Sequence, residues 1–464
     1  MFPKRLTRRT FMTRSAAAAA GVFLSSCFGE KMSTTPTPRP TFSATPAAEI
    51  ETRWPIKHVI YLMLENRSFD NLFGRFPGAR GTTTGIRYGN EVPLIRCPEW
   101  LPGDLPHDRA AWDLCYNDGA MDGFAIGPYG IYYAYSQFHR DDVPNYYGWA
   151  EDFVLNDHTF ASVAGPSYPN HLFLIAGQAG GARDNPENIL TKHLNDGRVF
   201  KSWGCDAYGE DVYVVVEDED GTRSRHSTCF TFQTVGEQLS ERDIDWAFYS
   251  ADPYQAGYIW QAYSAIEDVY TNEELWDEHI WPVDDLIRDV EAGTLPPVTW
   301  ITPRFQLSDH PPFSTKHAHN WVTDIVNAVM RGPLWDDVAV FITWDEWGGL
   351  YDHVRPPTID HVDLGFRVPM LVISPYAKRG YVDDAMGDFS SPLRFISDNW
   401  GLPYLTSRIE GSHTFEHVFD FERNPRPPEP RRHVPATNRF YDWPDDYAGW
   451  PAGITPEPPE IRYP

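Results

Sequence analysis

Six consecutive apolar residues, Val59 to Leu64, stop abruptly at Glu65-Asn66-Arg67-Ser68-Phe69-Asp70. A short apolar run with polar ends reads as a strand buried on both faces of an α/β sheet. The pattern recurs far along the chain, where Val338 to Trp344 empties into Asp345-Glu346-Trp347-Gly348-Gly349. Further strands are expected at residues 245–250, 298–302 and 368–374. Val322, Ile325, Val326, Val329 and Met330 follow the helical period, and Gly332-Pro333 ends that run. Strands alternating with helices predict a mostly parallel sheet.

Residues 185–232 break the alternation. The Val212–Glu217 run, the acidic turn Glu217-Asp218-Glu219-Asp220-Gly221 and two cysteines suggest an inserted β-hairpin. After Arg423 the chain is rich in proline and is expected to wrap the surface. The 464 residues fit two or three average domains, or one large α/β domain with insertions. The organisation expected is a leader over 1–26, a tether over 27–52, a catalytic domain over 53–423 and a tail over 424–464.

Thr7-Arg8-Arg9-Thr10-Phe11-Met12 resembles a twin-arginine export signal, with the apolar stretch Ala16–Leu24 behind it. That stretch is too short to span a bilayer permanently. Leu24-Ser25-Ser26-Cys27 resembles a lipobox, in which Cys27 carries lipid and becomes the new N-terminus; cleavage without lipid is the alternative. The Thr/Pro-rich stretch Ser33–Pro46 suits an extended tether, so the expected location is the outer face of the cell membrane. Loss of residues 1–26 removes five cations and no acid, which takes the net charge from −26 to −31. Such a surface repels polyanions and argues against a nucleic-acid partner. In an exported chain Cys97, Cys115, Cys205 and Cys229 permit two disulfides. Proximity favours Cys97–Cys115 and Cys205–Cys229, with free thiols the alternative.

Open α/β sheets bind ligands beyond the carboxyl ends of their strands. Glu65 and Asn66 stand at one such end, Asp345 and Glu346 at another. Alone, each reads equally well as a polar turn. Together they offer oxygen ligands, and a bound cation lets adjacent buried carboxylates stay ionised. In Gly165-Pro166-Ser167-Tyr168-Pro169-Asn170, Pro169 suits a first helical turn, which puts Ser167 at a helix N-terminus. There it is either a simple cap or a group held beside a phosphate oxygen. His107, His310 and His353 lie in loops, where site residues concentrate.

These segments resemble the bacterial phosphoesterase family of phospholipases C and related acid phosphatases. The resemblance is carried by Glu65–Asp70, Gly165–Asn170, Asp309-His310-Pro311-Pro312, Thr343–His353 and Gly365–Pro375, and the matches run in family order from Ile56 to Phe421. It implies an alkaline-phosphatase-like α/β/α sandwich with a divalent metal, of unspecified identity, at the carboxyl edge of the sheet. It further implies Glu65, Asn66, Ser167, Asp345 and Glu346 as metal ligands and Ser167 as the nucleophile. His107 and His310 would lie beside the phosphoryl group, with His310 protonating the leaving alcohol; His353 matches a position without a role. Two departures weaken the transfer of a particular phospholipid substrate. Gly387-Asp388-Phe389-Ser390-Ser391 stands where phospholipases often read Tyr-Asp-His-Thr-Ser, and Trp347 stands where Asn or His is frequent. The expected activity is hydrolysis of phosphate esters, phospholipids among them, through a covalent phosphoserine. The alternatives are an acid phosphatase acting on soluble monoesters and a tethered solute-binding lipoprotein.

Overall fold

The apolar runs become the central strands of one eight-stranded sheet in a computed structural model, which describes residues 50–436 apart from Asp196 and Tyr208. The twin-arginine segment, the Cys27 lipobox, nearly all of the tether and the tail beyond residue 436 lie outside the described residues. The strands are β1 (His58–Leu64), β2 (Val154–Asn156), β3 (Trp246–Ser250), β4 (Ile280–Pro282), β5 (Val298–Ile301), β6 (Val338–Trp344), β7 (Met370–Ile373) and β8 (Tyr381–Asp383). They lie in the order β4-β3-β5-β1-β6-β7-β2-β8. Only β7 runs against its neighbours, β6 and β2. The mostly parallel sheet is therefore present, with one reversed strand near its edge.

Every residue of β1 and β6 is buried, because helices cover both faces. Side chains alternate across a strand. In β6, Phe341 packs on Phe395 of helix α5 (Ser390–Trp400), whereas Trp344 packs on Tyr146 of α1 (Pro144–Asp152). Tyr61 of β1 points to the α5 side and donates from its hydroxyl to the Phe389 carbonyl. On the other side α1, α3 (Leu286–Ala292) and α4 (Thr315–Arg331) form a layer. This is an α/β/α sandwich. The periodic residues Val322, Ile325, Val326 and Val329 make the buried stripe of α4, and Gly332 closes the helix by donating to the Ala328 carbonyl. No helix among the described residues is long and apolar enough to cross a membrane.

The insertion holds two hairpins where the pattern suggested one. Residues 190–193 pair with 199–202, and Tyr213–Glu217 pairs with Arg223–Ser227. Cys205 and Cys229 are disulfide-bonded across 24 residues, a loop length that stabilises by about 3 kcal/mol in the chain-entropy account. The Cys97–Cys115 pairing does not form: both thiols are free and buried. Cys97 belongs to the main core, and Cys115 sits in a separate cluster with Trp112, Phe124, Trp347 and Phe366. Proximity in sequence had no counterpart in space. As far as residue 436, the Pro-rich segment lies along α4. Asn327 donates to the Arg431 carbonyl, and Asn320 exchanges hydrogen bonds with the Val434 backbone.

Candidate active site

The pairing register of β1 and β6 brings the two acidic strand ends together. Leu64 is opposite Trp344, so Glu65 and Asn66 leave the sheet beside Asp345 and Glu346. Asp345 Oδ1 accepts the backbone N–H groups of Asn66 and Glu346, each at 2.8 Å. Asn66 takes a left-handed conformation (φ 61°), which its short polar side chain tolerates. Glu346 Oε2 accepts the Gly348 N–H at 2.8 Å. Gly348 has φ +61°, and a Cβ there would meet the Asn66 carbonyl at 2.4 Å, so the close approach of the two strand ends requires glycine.

These bonds leave one oxygen on each of three side chains. Asn66 Oδ1, Asp345 Oδ2 and Glu346 Oε1 are shut away from solvent and make no hydrogen bond. Unpaired buried acceptors are costly, and buried charges are ordinarily paired or metal-bound. Burial raises the pKa of Glu65 well above the usual carboxylate range, and Asp345 and Glu346 raise it further. Burial also raises Glu346; His107 offsets part of the rise and Asp345 adds to it. The donor set of Glu65, Asn66, Asp345 and Glu346 is all oxygen, three carboxylates and one neutral amide, and it fits a hard divalent cation.

Ser167 opens helix α2 (Ser167–Ala176), with Pro166 as the cap. The loop before it is held by Asn170, whose side chain accepts from Val163 N–H and donates to the carbonyls of Gly165 and Pro166. The Ser167 hydroxyl makes no capping bond. It donates instead to Glu65 Oε2 at 3.3 Å. The structure therefore sets the simple-cap alternative aside.

His107 Nε2 is 3.3 Å from Asn66 Nδ2, and its Nδ1–H donates to the Leu105 carbonyl. Burial disfavours its charge, but Asp104, Glu346, the Leu105 carbonyl and Asp345 outweigh burial and hold its pKa at about 9. The His310 ring stands edge-on to it, with centroids 5.7 Å apart. Burial pushes His310 below its ordinary value; Asp104 opposes this and His107 adds to it. The proton-donor role expected of His310 thus meets an environment that favours its neutral form. The preceding residue, Asp309, anchors the loop by accepting from Trp344 Nε1 at 2.9 Å.

His353 belongs to a different cluster. Its Nδ1 pairs with Asp70 at 2.6 Å, and Arg367, fully buried, bridges Asp70 and Asp352 at 3.2 Å each. That network braces the loop after β6. Trp347 is fully buried, edge-on to Phe366, and serves as core. Asp388 is held by Arg408 at 2.7 Å and by Ser162 at 3.1 Å.

Two residues near the site were not singled out in the sequence. His171 Nε2 donates to Glu65 Oε1 at 2.8 Å, and burial lowers its pKa to about 4, so the ring is neutral. Its spacing of four from Ser167 on one helix was the available signal, since such pairs share a face. Asp104, 3.6 Å from His107 Nδ1, carried no comparable signal.

The sequence profile of the phosphoesterase family matches residues 56–403. Hemolytic phospholipase C of Pseudomonas aeruginosa is 27% identical over 86% of this chain and 59% of its own length, so the chain spans less than two thirds of that relative. Phospholipase C B of Mycobacterium tuberculosis is 26% identical over 93% of this chain and 89% of its own length. Among solved structures, a protein in the alkaline phosphatase superfamily from Vibrio parahaemolyticus covers 86% of this chain and 76% of its own, with 10% identity and a TM-score of 0.35. The match to the family profile covers most of the folded region and includes both acidic strand ends and Ser167, and the chain belongs to the phosphoesterase family.

Proposed function

We propose that this protein is a metal-dependent phosphoesterase that cleaves phosphate esters through Ser167, with phospholipids as the substrate class suggested by its relatives. The observation that carries the reading is the set of three unpaired buried oxygens, Asn66 Oδ1, Asp345 Oδ2 and Glu346 Oε1, next to a helix-terminal serine bonded to Glu65. Glu65, Asn66, Asp345 and Glu346 would hold a divalent cation with Ser167. When bound, that cation supplies charge that lowers the Ser167 pKa and polarises the P–O bond.

Ser167 Oγ forms the bond to phosphorus as the P–O bond to the leaving alcohol breaks, and its proton passes toward Glu65 Oε2. The Ser167 N–H at the start of α2 and the His107 side chain stabilise the equatorial oxygens. The leaving alcohol takes its proton from the His107–His310 pair. Water then attacks phosphorus and the bond to Ser167 Oγ breaks; Glu65 returns its proton to that oxygen, and the histidine pair takes one from the water. The product leaves as phosphocholine from phosphatidylcholine or as inorganic phosphate from a monoester.

The export signal and lipobox support a lipid-anchored location, where a membrane substrate would be close at hand. The test is turnover of phosphatidylcholine vesicles and of an aryl phosphate, before and after chelation. Activity on vesicles that disappears with the metal supports the whole reading. Turnover of the aryl phosphate alone would make the protein a phosphatase of soluble monoesters. Stoichiometric phosphate binding without turnover, with metal present, would overturn the enzyme reading.

A further inference from the structure

A second group of ligating side chains lies at the edge of the sheet, away from strands β1 and β6, whose ends carry the acidic residues. Asp383 ends β8, the outermost strand, and is 1% exposed. Asn156 of the neighbouring β2 donates to its Oδ2 at 2.8 Å and fixes the carboxylate. His417 Nε2 bonds its Oδ1 at 2.7 Å. His413 Nε2 lies 3.6 Å from Oδ2, is sealed from solvent and makes no hydrogen bond. The three ligand atoms lie within 4.8 Å of one another.

The local chain is shaped to bring them together. His413 and His417 have the spacing of paired zinc-site histidines; His417 lies in the short 3₁₀ turn Glu416–Val418 and His413 in the loop before it. Phe415 between them adopts φ 56°, an uncommon conformation for a bulky residue, and the turn sets the two rings 4.6 Å apart. A histidine nitrogen buried without a partner beside an oriented carboxylate has the form of an empty ligand.

We infer that Asp383, His413 and His417 form a second divalent-cation site, of a chemistry different from the first. Two imidazoles and one carboxylate suit Zn²⁺ or a similar borderline metal, whereas the all-oxygen strand-end site suits a hard ion. Asn156 orients the carboxylate, as outer residues do at metal sites. The cation takes the place of the proton between His417 and Asp383, recruits the idle His413 nitrogen and ties the short edge strand to the segment after residue 411. Its role is to clamp that edge, with open positions left for water.

The test uses the full chain, stripped of metal and titrated with Zn²⁺ against a chromophoric chelator, with melting temperature read in parallel. His413→Gln, His417→Gln and the double variant are compared with the parent, and Asp345→Asn reports on the strand-end site. The double variant is expected to lose one Zn²⁺ equivalent that Asp345→Asn retains, and each single variant to bind it at least tenfold more weakly. Zn²⁺ should raise the melting temperature of Asp345→Asn and leave that of a protein lacking both histidines and Asp345 unchanged. His417 is 40% exposed, so its replacement preserves folding and keeps the comparison valid. Equal stoichiometry and affinity in the parent and a folded His417→Gln variant would overturn the proposal.

Discussion

Glu65 accepts a hydrogen bond from His171 at 2.8 Å, from a ring one helical turn after the serine whose hydroxyl meets the other oxygen of the same carboxylate. The arrangement fixes both oxygens of Glu65 from a single helix face. Because His171 is held neutral, its Nε2–H steers the carboxylate without neutralising it. Replacing His171 by Ala should weaken metal binding and lower kcat by about 10- to 100-fold, the usual effect of losing a group that orients a ligand. Chelator competition and steady-state kinetics on the same preparation would measure both. A variant with parental affinity and turnover would mean that Glu65 is positioned by the backbone alone.

Ser167→Ala should reduce kcat by at least three orders of magnitude, roughly the scale of deleting a nucleophile. Since its hydroxyl makes no capping bond, any change in thermal stability should come from losing its bond to buried Glu65. Rapid quenching with labelled substrate should trap phosphate on the parent and none on the variant. Label recovered at another residue would reject this nucleophile.

Chelation should abolish turnover and leave the far-ultraviolet circular dichroism intact. The unpaired oxygens sit at the rim of a sheet whose strands are buried by apolar contacts on both faces, so the core stands without them. Activity that survives exhaustive chelation, with no metal detected, would remove the proposed chemistry.

Arg367 is fully buried between Asp70 and Asp352. Arg367→Met would leave Asp352 buried without its cation and Asp70 with His353 alone, and should cost about 3–5 kcal/mol in urea unfolding. Adding Asp70→Asn should restore part of the loss. If Arg367→Met is as stable as the parent, the network does not brace the fold.

His319, on α4, gives an acid-stability test at a residue outside the proposed ligand set. Its Nε2 accepts the Asn145 N–H at 3.0 Å. Burial lowers its pKa from 6.5 to about 3; Asn320 opposes the shift and His433 and Lys316 add to it. The folded state therefore refuses a proton that the unfolded chain takes below pH 6.5. The contribution is intact above that pH and is lost as pH falls toward 3, with a slope of about 1.4 kcal/mol per pH unit. His319→Gln should flatten the pH dependence of urea unfolding by one proton between about pH 6 and pH 4. An unaltered slope would show that His319 takes up its proton in the folded state.

Much of the fold was legible in the sequence. Val59–Leu64 and Val338–Trp344 announced themselves because a strand buried on both faces is apolar at every position, and α4 because a half-buried helix is apolar with a fixed period. The acidic strand ends were visible because residues at the carboxyl edge of a parallel sheet need not be apolar. The three-residue strands β2, β4 and β8 were not, since so few residues set no period and are ordered only by neighbours already in place.

By itself the sequence determined that acidic residues stand at the ends of two buried strands, because residue type and periodicity are local properties. Tertiary structure decided what they meet. The register between Leu64 and Trp344 set Glu65 beside Asp345 across hundreds of residues of chain. Packing sent Cys97 and Cys115 into different clusters, committed His353 to Arg367's network, turned His171 onto Glu65 and brought Asp383 to two distant histidines. Such partners are chosen by the closest packing of whole layers, and no local pattern encodes that choice.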